Sequence, residues 1–109
     1  MRETDRKLLL ELKRRLVSET PAAVRELIAF GSRARGDADE DSDLDVLLLL
    51  DERSPAHEKT LEDCTYQLMW DNDFKPIISL KICSISQFQV ALEKEFSFYR
   101  NVKKEGIAI

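Results

Sequence analysis

The chain has 109 residues, of which 43% are hydrophobic and 35% charged, and its formal net charge is −4. This length suits one domain with a modest core, and the composition is typical of a soluble globular protein. No apolar stretch reaches the roughly 18 residues that a membrane-spanning helix needs. The negative charge disfavours direct binding to nucleic acid, so a protein of this charge that handles phosphates requires a cation.

The N-terminal ten residues are charged and then only briefly apolar, without a small-residue cleavage site, so we expect a cytoplasmic protein. Two cysteines, Cys64 and Cys83, lack metal-ligand spacing and are expected to be reduced, buried thiols. The single histidine, His57, excludes most chemistry that depends on clustered histidines.

The first half of the chain predicts a helix, a strand, a short helical turn and a second strand. Thr4 is the expected cap of the first helix, whose leucines recur at helical spacing: Leu8, Leu9, Leu12 and Leu16. The short apolar run from Val24 to Phe30 predicts a strand that ends at a glycine. Residues 31–42 predict a turn, one helical turn and a loop, and Asp43 to Leu50 reads as a central strand buried on both faces.

The second half alternates in the same way. Ser54 and Pro55 predict a helix start, and an inward stripe follows: Leu61, Cys64, Thr65, Leu68 and Met69. Residues 76–83 predict another strand. Ser86 and Gln89 form an expected capping box, and Gly106 is an expected C-terminal cap. The order of elements predicts an α/β (α+β) fold, a small mixed sheet flanked by helices, in one domain over residues 1–109.

An unusual run of acids lies between the first two strands. Six acids and no base occur between residues 37 and 45. For the first four we expect a solvated loop: Asp37, Asp39, Glu40 and Asp41. Asp43 and Asp45 differ because residues two apart on a strand point to the same face, with Cα atoms about 6–7 Å apart. Two carboxylates at that separation can share magnesium ions roughly 3.5–4 Å apart.

Gly31 and Ser32 stand between a strand and the predicted helical turn. Such a turn offers backbone N–H groups and a hydroxyl to an anion. The P-loop is excluded as an alternative because its GxxxxGK[ST] pattern is absent. Alone, Gly-Ser is a weak signal.

The combination is specific. Gly31-Ser32, ten residues, and then Asp43-x-Asp45 opening the next strand resemble the signature of the polymerase-β-like nucleotidyltransferases, in particular their minimal members. The residues after Ser32 (Arg-Ala-Arg-Gly) and the segment 98–106 (Phe-Tyr-Arg-Asn-Val-Lys-Lys-Glu-Gly) resemble the same family. The resemblance therefore covers nearly the whole chain.

The resemblance implies roles for the matching residues. Gly31 and Ser32 would hold the triphosphate of ATP or another nucleoside triphosphate, while Asp43 and Asp45 would ligate Mg²⁺ and form the catalytic pair. Arg33 is the expected additional nucleotide contact. Arg35 is its alternative, since residues two apart diverge on a helix. The family reaction transfers a nucleoside monophosphate to a hydroxyl and releases pyrophosphate.

One feature of the family is missing. Its members usually carry a third carboxylate on a neighbouring strand, but residues 76–83 read Pro-Ile-Ile-Ser-Leu-Lys-Ile-Cys. Ser79 or Lys81 occupies the expected place, and the nearest acids are Asp71 and Asp73. Three explanations stay open. Asp73 moves into the site, two carboxylates suffice for a slow enzyme, or the protein binds nucleotide without catalysis.

The small size also bears on the acceptor, since the chain has no room for a separate acceptor-binding domain. Small family members resemble antitoxins whose partner is a HEPN-domain ribonuclease toxin, which they adenylylate on a tyrosine or bind. Three hypotheses follow. One is a magnesium-dependent nucleotidyltransferase that transfers AMP to such a partner; the second is a weak or inactive module that acts by occlusion. The third is a structural α/β domain with an acidic loop. No membrane or nucleic-acid partner is expected, and the leucines at 8–10 permit an oligomer.

Overall fold

A four-stranded mixed sheet with five helices forms the protein in the computed structural model, which describes residues 1–109. The elements are α1 Glu3–Glu19, β1 Val24–Phe30, α2 Gly31–Arg35, β2 Leu44–Leu50, α3 Pro55–Asp71, β3 Ile78–Ser84, α4 Ile85–Glu93, α5 Ser97–Glu105 and β4 Ile107–Ala108. This architecture confirms the predicted α+β fold and agrees with the polymerase-β-like nucleotidyltransferase fold. None of the helices combines the length and the apolar character that a membrane span requires.

The strand order in the sheet is β3-β2-β1-β4. The central strand β2 pairs antiparallel with β1 and parallel with β3, and α3 makes the crossover between the two parallel strands. In this register Asp45 of β2 lies between Phe30 of β1 and Ser79 of β3. The carboxylate is thus positioned by both neighbouring strands.

Helices cover both faces of the sheet. Side chains of a strand alternate between faces, and those of β2 divide accordingly. Val46, Leu48 and Leu50 join a core with the leucines of α1 and α3. Leu47 and Leu49 join a smaller core with side chains of α4 and α5. Asp45 shares the face of Leu47 and Leu49, so the candidate site lies on the α4–α5 side.

Several predictions about local structure are confirmed. β1 has the predicted bounds. Ser54 caps α3 by accepting a hydrogen bond from the His57 backbone N–H at 3.5 Å, and Pro55 is the first helical residue. Both cysteines are free, Cys83 buried and Cys64 half-buried, and burial raises the pKa of each thiol.

Other helix and strand ends were predicted wrongly. Arg2, not Thr4, is the N-cap of α1, and it provides no side-chain cap. The capping box of α4 consists of Ser84 and Gln87 instead of the predicted Ser86 and Gln89. The helix begins directly where β3 ends, so the last strand residue serves as the cap. The strand β4 was not predicted at all, because two residues carry no periodic pattern.

Candidate active site

The turn between β1 and α2 depends on a glycine. Gly31 has a φ of +79°, a left-handed backbone conformation that residues other than glycine rarely adopt. A Cβ built on Gly31 would lie 2.6 Å from Oδ2 of Asp45. The backbone of the turn and the carboxylate of β2 therefore approach each other more closely than any other residue at position 31 would allow.

The two aspartates of the predicted metal site carry uncompensated charge. Asp43 is exposed immediately before β2, and Asp45 is half-buried on the strand. The acids of the preceding loop form hydrogen bonds and an ion pair through Asp37 and Asp39, whereas none involves Asp43 or Asp45. Burial raises the pKa of Asp45, and the negative charge of Asp43 raises it further. Such a pair favours a bound cation.

The residues present fit a divalent cation of the magnesium type. Two carboxylates that lack protein partners supply the hard oxygen ligands that Mg²⁺ prefers. No group of three acidic, histidine or cysteine side chains gathers anywhere in the structure. A Mg²⁺ ion normally completes its coordination with water and substrate phosphates, so two protein ligands are compatible with such a site.

Arg33, the expected nucleotide contact, forms its hydrogen bonds inside the protein. Its Nε and Nη2 donate to the two carboxylate oxygens of Asp5 at 3.0 and 2.9 Å. Its Nη1 donates to the backbone carbonyls of Glu40 and Ser42 at 3.2 and 3.0 Å. The side chain is only 7% exposed. All three guanidinium nitrogens of Arg33 thus donate to groups of the protein itself.

The Arg33 contacts instead join three segments around the site. Asp5 belongs to α1, Arg33 to α2, and the two carbonyls to the loop that leads into Asp43. The hydrogen bonds to Asp5 are the main cause of the raised pKa of Arg33, which keeps the guanidinium charged although it is buried. This buried pair anchors the Gly-Ser turn and the acidic loop to the N-terminal helix.

Arg35 is the remaining arginine of the motif. It is exposed, donates from Nε to Asp37 at 3.2 Å, and lies 3.9 Å from a carboxylate oxygen of Glu105. Exposed pairs of this kind contribute little and exchange readily with water. Of the two arginines, Arg35 is therefore the one that can turn towards a phosphate.

Ser79 stands where a third carboxylate would be expected. It is exposed and pairs in register with Asp45 across the parallel strands. Lys81, two residues further on, pairs with Leu47, and its Nζ lies 4.8 Å from the ring centre of Phe98. The strand β3 contains no acid.

Neither nearby acid fills the gap. Asp71 accepts hydrogen bonds from Gln67 and Arg15, which lower its pKa. Asp73 is exposed in the turn after α3, with a positive φ of 56°. The structure therefore contains two carboxylates at the candidate site.

The comparisons with known proteins agree with this arrangement. Residues 6–109 match the family described as nucleotidyltransferase domain, and the chain belongs to that family. Two relatives from Methanocaldococcus jannaschii are both provisionally named protein adenylyltransferases. One is 30% identical over 102 residues, covering 94% of this chain and 94% of the relative. The other is 35% identical over 82 residues, covering 72% of this chain and 83% of the relative.

The matched range contains the whole sheet, the Gly-Ser turn and the aspartate pair. The predicted family and enzyme class are confirmed: the protein is a nucleotidyltransferase.

Proposed function

We propose that this nucleotidyltransferase uses Mg²⁺ to transfer AMP from ATP to a hydroxyl group of another protein. The pair of uncompensated carboxylates beside the Gly31 turn carries the proposal. The choice of AMP and of a protein acceptor is supported by the names of the two relatives from Methanocaldococcus jannaschii.

In the proposed reaction each residue has a limited task. Gly31 and Ser32 bind the triphosphate through backbone N–H groups and the hydroxyl. Asp43 and Asp45 would hold Mg²⁺, which neutralises phosphate charge as the leaving group departs. The acceptor oxygen forms a bond to the α-phosphorus, and the bond to pyrophosphate breaks with its electron pair on the leaving oxygen. The hydroxyl proton leaves to water, because Ser79 is a poor base.

As acceptor we propose a tyrosine of a HEPN-type toxin, which makes this chain an antitoxin. This part rests on the resemblance to small antitoxin members of the family. A missing general base typically costs about 10²–10⁴-fold in rate, and β3 lacks one opposite Asp45. Slow modification is sufficient for an antitoxin, since each toxin molecule needs to be modified only once.

Intact-mass measurement tests the proposal. The protein is incubated with the product of its neighbouring gene, ATP and Mg²⁺, and the masses of both chains are recorded. We expect an increment of one AMP on the partner, which disappears in the double variant Asp43→Asn, Asp45→Asn. The matched control is Glu40→Gln, Asp41→Asn, which removes the same charge from exposed loop residues and should retain transfer. Transfer that persists in the double aspartate variant contradicts the proposed site.

Occlusion without transfer is the second candidate, and two observations favour it. The first is the missing carboxylate on β3. The second is an exposed aromatic cluster on α3 and its following turn, formed by Tyr66, Trp70 and Phe74. Tyr66 is 56% and Trp70 63% exposed, and both pack edge-on against Phe74 with ring centres 5.4 and 6.0 Å apart. Clustered exposed aromatics are typical of protein interfaces.

The aromatic cluster provides the discriminating experiment. Occlusion predicts that Trp70→Ser, together with Tyr66→Ser, weakens the complex with the partner, whereas the double aspartate variant still neutralises it. Transfer predicts that the double aspartate variant fails to neutralise the partner, whereas the aromatic variant still neutralises it. Both variants alter exposed or half-exposed side chains, so the fold should persist in each.

A further inference from the structure

A groove runs beside the edge strand of the sheet, on the α4–α5 side. It encloses about 610 Å³ between β3, α4 and the first turn of α5. We name it the β3–α4 groove; its lining includes Arg53, Lys81, Cys83, Val90, Phe96 and Tyr99.

The groove follows the backbone edge of β3. Three consecutive strand residues line it, Lys81, Ile82 and Cys83, although neighbouring side chains on a strand point to opposite faces. A groove along the strand edge accounts for contact with all three. Because β3 is the outermost strand of the sheet, no further strand pairs with this edge. Unpaired strand edges are the standard docking place for extended polypeptide segments.

The groove begins close to the candidate active site along β3. Ser79 lies opposite Asp45, and Lys81 follows on the same face about 6–7 Å further along the strand. The Gly31 turn lies on the other side of Asp45, at the end of β1. A triphosphate on the turn and a ligand in the groove would therefore approach Asp45 from opposite sides.

The length of the groove suits a peptide. It extends from Lys81 at the middle of β3 to Arg53, which lies beyond the far end of β2. The span from Asp45 to Leu50 alone is about 16 Å at roughly 3.3 Å per strand residue. An extended segment of about five residues would reach from the active site to Arg53.

The chemistry of the lining differs from that of the protein as a whole. The chain contains 21 acidic and 17 basic residues. The groove is lined by two cations, Arg53 and Lys81, and by no acid. Nε and Nη2 of Arg53 donate to Glu58 of α3, which leaves its Nη1 for a ligand, whereas Lys81 has no ion-pair partner. Its apolar rim includes Phe96 at 52% and Val90 at 46% exposure. The Lys81 ammonium lies over the rings of Phe98 and Tyr99 at 4.8 and 5.9 Å, a contact that holds it at the groove entrance.

We propose that the β3–α4 groove binds an extended segment of the acceptor protein that carries apolar and acidic side chains. The acidic groups pair with Lys81 and Arg53, the apolar groups cover Val90 and Phe96, and the backbone follows the free edge of β3. The bound segment directs the acceptor hydroxyl towards Asp45. This inference rests on the proposed transfer to a protein hydroxyl, and it assigns the surface that selects the acceptor.

Fluorescence anisotropy with three defined probes tests the groove directly. The first is a labelled peptide of about eight residues with one tyrosine, alternating leucine and glutamate. The second replaces each glutamate by lysine, and the third is a single-stranded oligouridylate. We expect the acidic peptide to bind at least about tenfold more tightly than the basic one, because a peptide of the wrong sign meets Lys81 and Arg53.

Variants locate the binding. The double variant Lys81→Glu, Phe96→Ser should weaken binding of the acidic peptide at least about tenfold. The matched control is Lys7→Glu, Leu10→Ser on α1, where Leu10 is also 52% exposed but lies on the opposite side of the sheet. The control should bind the peptide as the wild type does. Calorimetry should give the same affinity for ATP with Mg²⁺ in all three proteins.

Several results would overturn the inference. These are equal affinity for both peptides, an unchanged affinity in the groove variant, or preferential binding of the oligouridylate that the groove variant abolishes. A parallel loss of ATP affinity would make the groove a nucleoside subsite instead.

Labelling of the natural partner separates the two proposals. If the wild type and the groove variant label the partner with equal KM, the proposed transfer stands and the proposed role of the groove is disproved. If the wild type does not label the partner, the proposed transfer is disproved. The peptide-binding measurements then still test whether the groove binds an extended segment.

Discussion

Gly31 and Asp45 come so close that a single added carbon would make them collide. The Cβ of any other residue at position 31 would lie 2.6 Å from the Oδ2 atom of Asp45, and the φ of +79° adds a second reason for glycine. The contact joins the end of β1 to the strand that carries the aspartate. It makes the Gly-Ser turn and the carboxylate pair one structural unit.

Gly31→Ala should therefore abolish nucleotide transfer and lower stability. The positive φ alone costs about 1–2 kcal/mol for a residue with a Cβ. In addition, the methyl group displaces the Asp45 carboxylate, which the proposed site needs in place. We expect loss of detectable transfer and of ATP-dependent thermal stabilisation, measured by mass spectrometry and by differential scanning fluorimetry.

Gly36→Ala is the matched control. Gly36 also has a positive φ, +84°, but a Cβ there would meet only the backbone nitrogen of Met1, at 3.9 Å. The substitution carries the same backbone cost of about 1–2 kcal/mol without touching Asp45. Transfer equal in both variants, after correction for folded fraction, would disprove the role given to the Gly31–Asp45 contact.

Asp45→Asn should stabilise the chain in the absence of metal while removing its activity. Burial and the neighbouring Asp43 raise the pKa of Asp45, so the ionised form is less favourable in the folded than in the unfolded chain. At neutral pH that ionised group lowers stability, and the neutral amide removes the cost. We expect the Tm to rise by about 1–4 °C with EDTA present.

Asp43→Asn serves as the comparison because Asp43 is exposed. Its substitution relieves the same mutual repulsion but recovers no desolvation, so its Tm should rise less. If Asp45→Asn lowers the Tm in EDTA, the carboxylate has a stabilising partner and the uncompensated pair is an incorrect description.

Local signals explain what could be predicted from the sequence. The bounds of β1 follow from an apolar run that stops at Gly31, and the start of α3 follows from Ser54 and Pro55. The turn and the two aspartates could be predicted as a site because their spacing is what the proposed chemistry requires. Each of these signals lies within a few residues of the feature that it specifies.

Features made by distant residues escaped prediction. Asp5 and Arg33 are 28 positions apart, so neither residue's neighbours indicate the pair. The sequence predicts Arg33 as a nucleotide contact because it directly follows Gly31 and Ser32. Its burial depends on the packing of α1, which local sequence does not indicate. The strand β4 exists through pairing with β1. The Ser84 cap was missed because a strand residue is not expected to cap the following helix.

Arg33 should act as a positioning residue. Removing one partner of a buried ion pair costs about 3–5 kcal/mol, so Arg33→Ala should unfold much of the protein. Arg33→Lys keeps the charge and loses the bidentate contact to Asp5 and the bonds to the loop carbonyls. We expect a loss of about 1–3 kcal/mol, measured by urea unfolding. The KM for ATP should rise and kcat should fall, since both the turn and the loop before Asp43 lose their anchor.

Arg35→Ala is the control for Arg33. Its ion pairs are exposed and contribute about 0–1 kcal/mol, so stability should hardly change. A rise in the KM for ATP without loss of stability would identify Arg35 as the phosphate contact. An Arg33→Lys protein with unaltered stability and kinetics would contradict the anchoring role.

Ser79→Asp should increase the rate of transfer. Ser79 pairs in register with Asp45 and is exposed, so the substitution adds a carboxylate beside the aspartate pair without disturbing the core. A general base is worth about 10²–10⁴-fold, and an imperfectly placed one should give a gain of roughly tenfold. Single-turnover transfer to the partner measures the effect. Lys81→Asp places the same group two residues further along β3, opposite Leu47, and should give no gain when the partner is saturating. An equal gain from both variants would mean that charge, and not position opposite Asp45, limits the reaction.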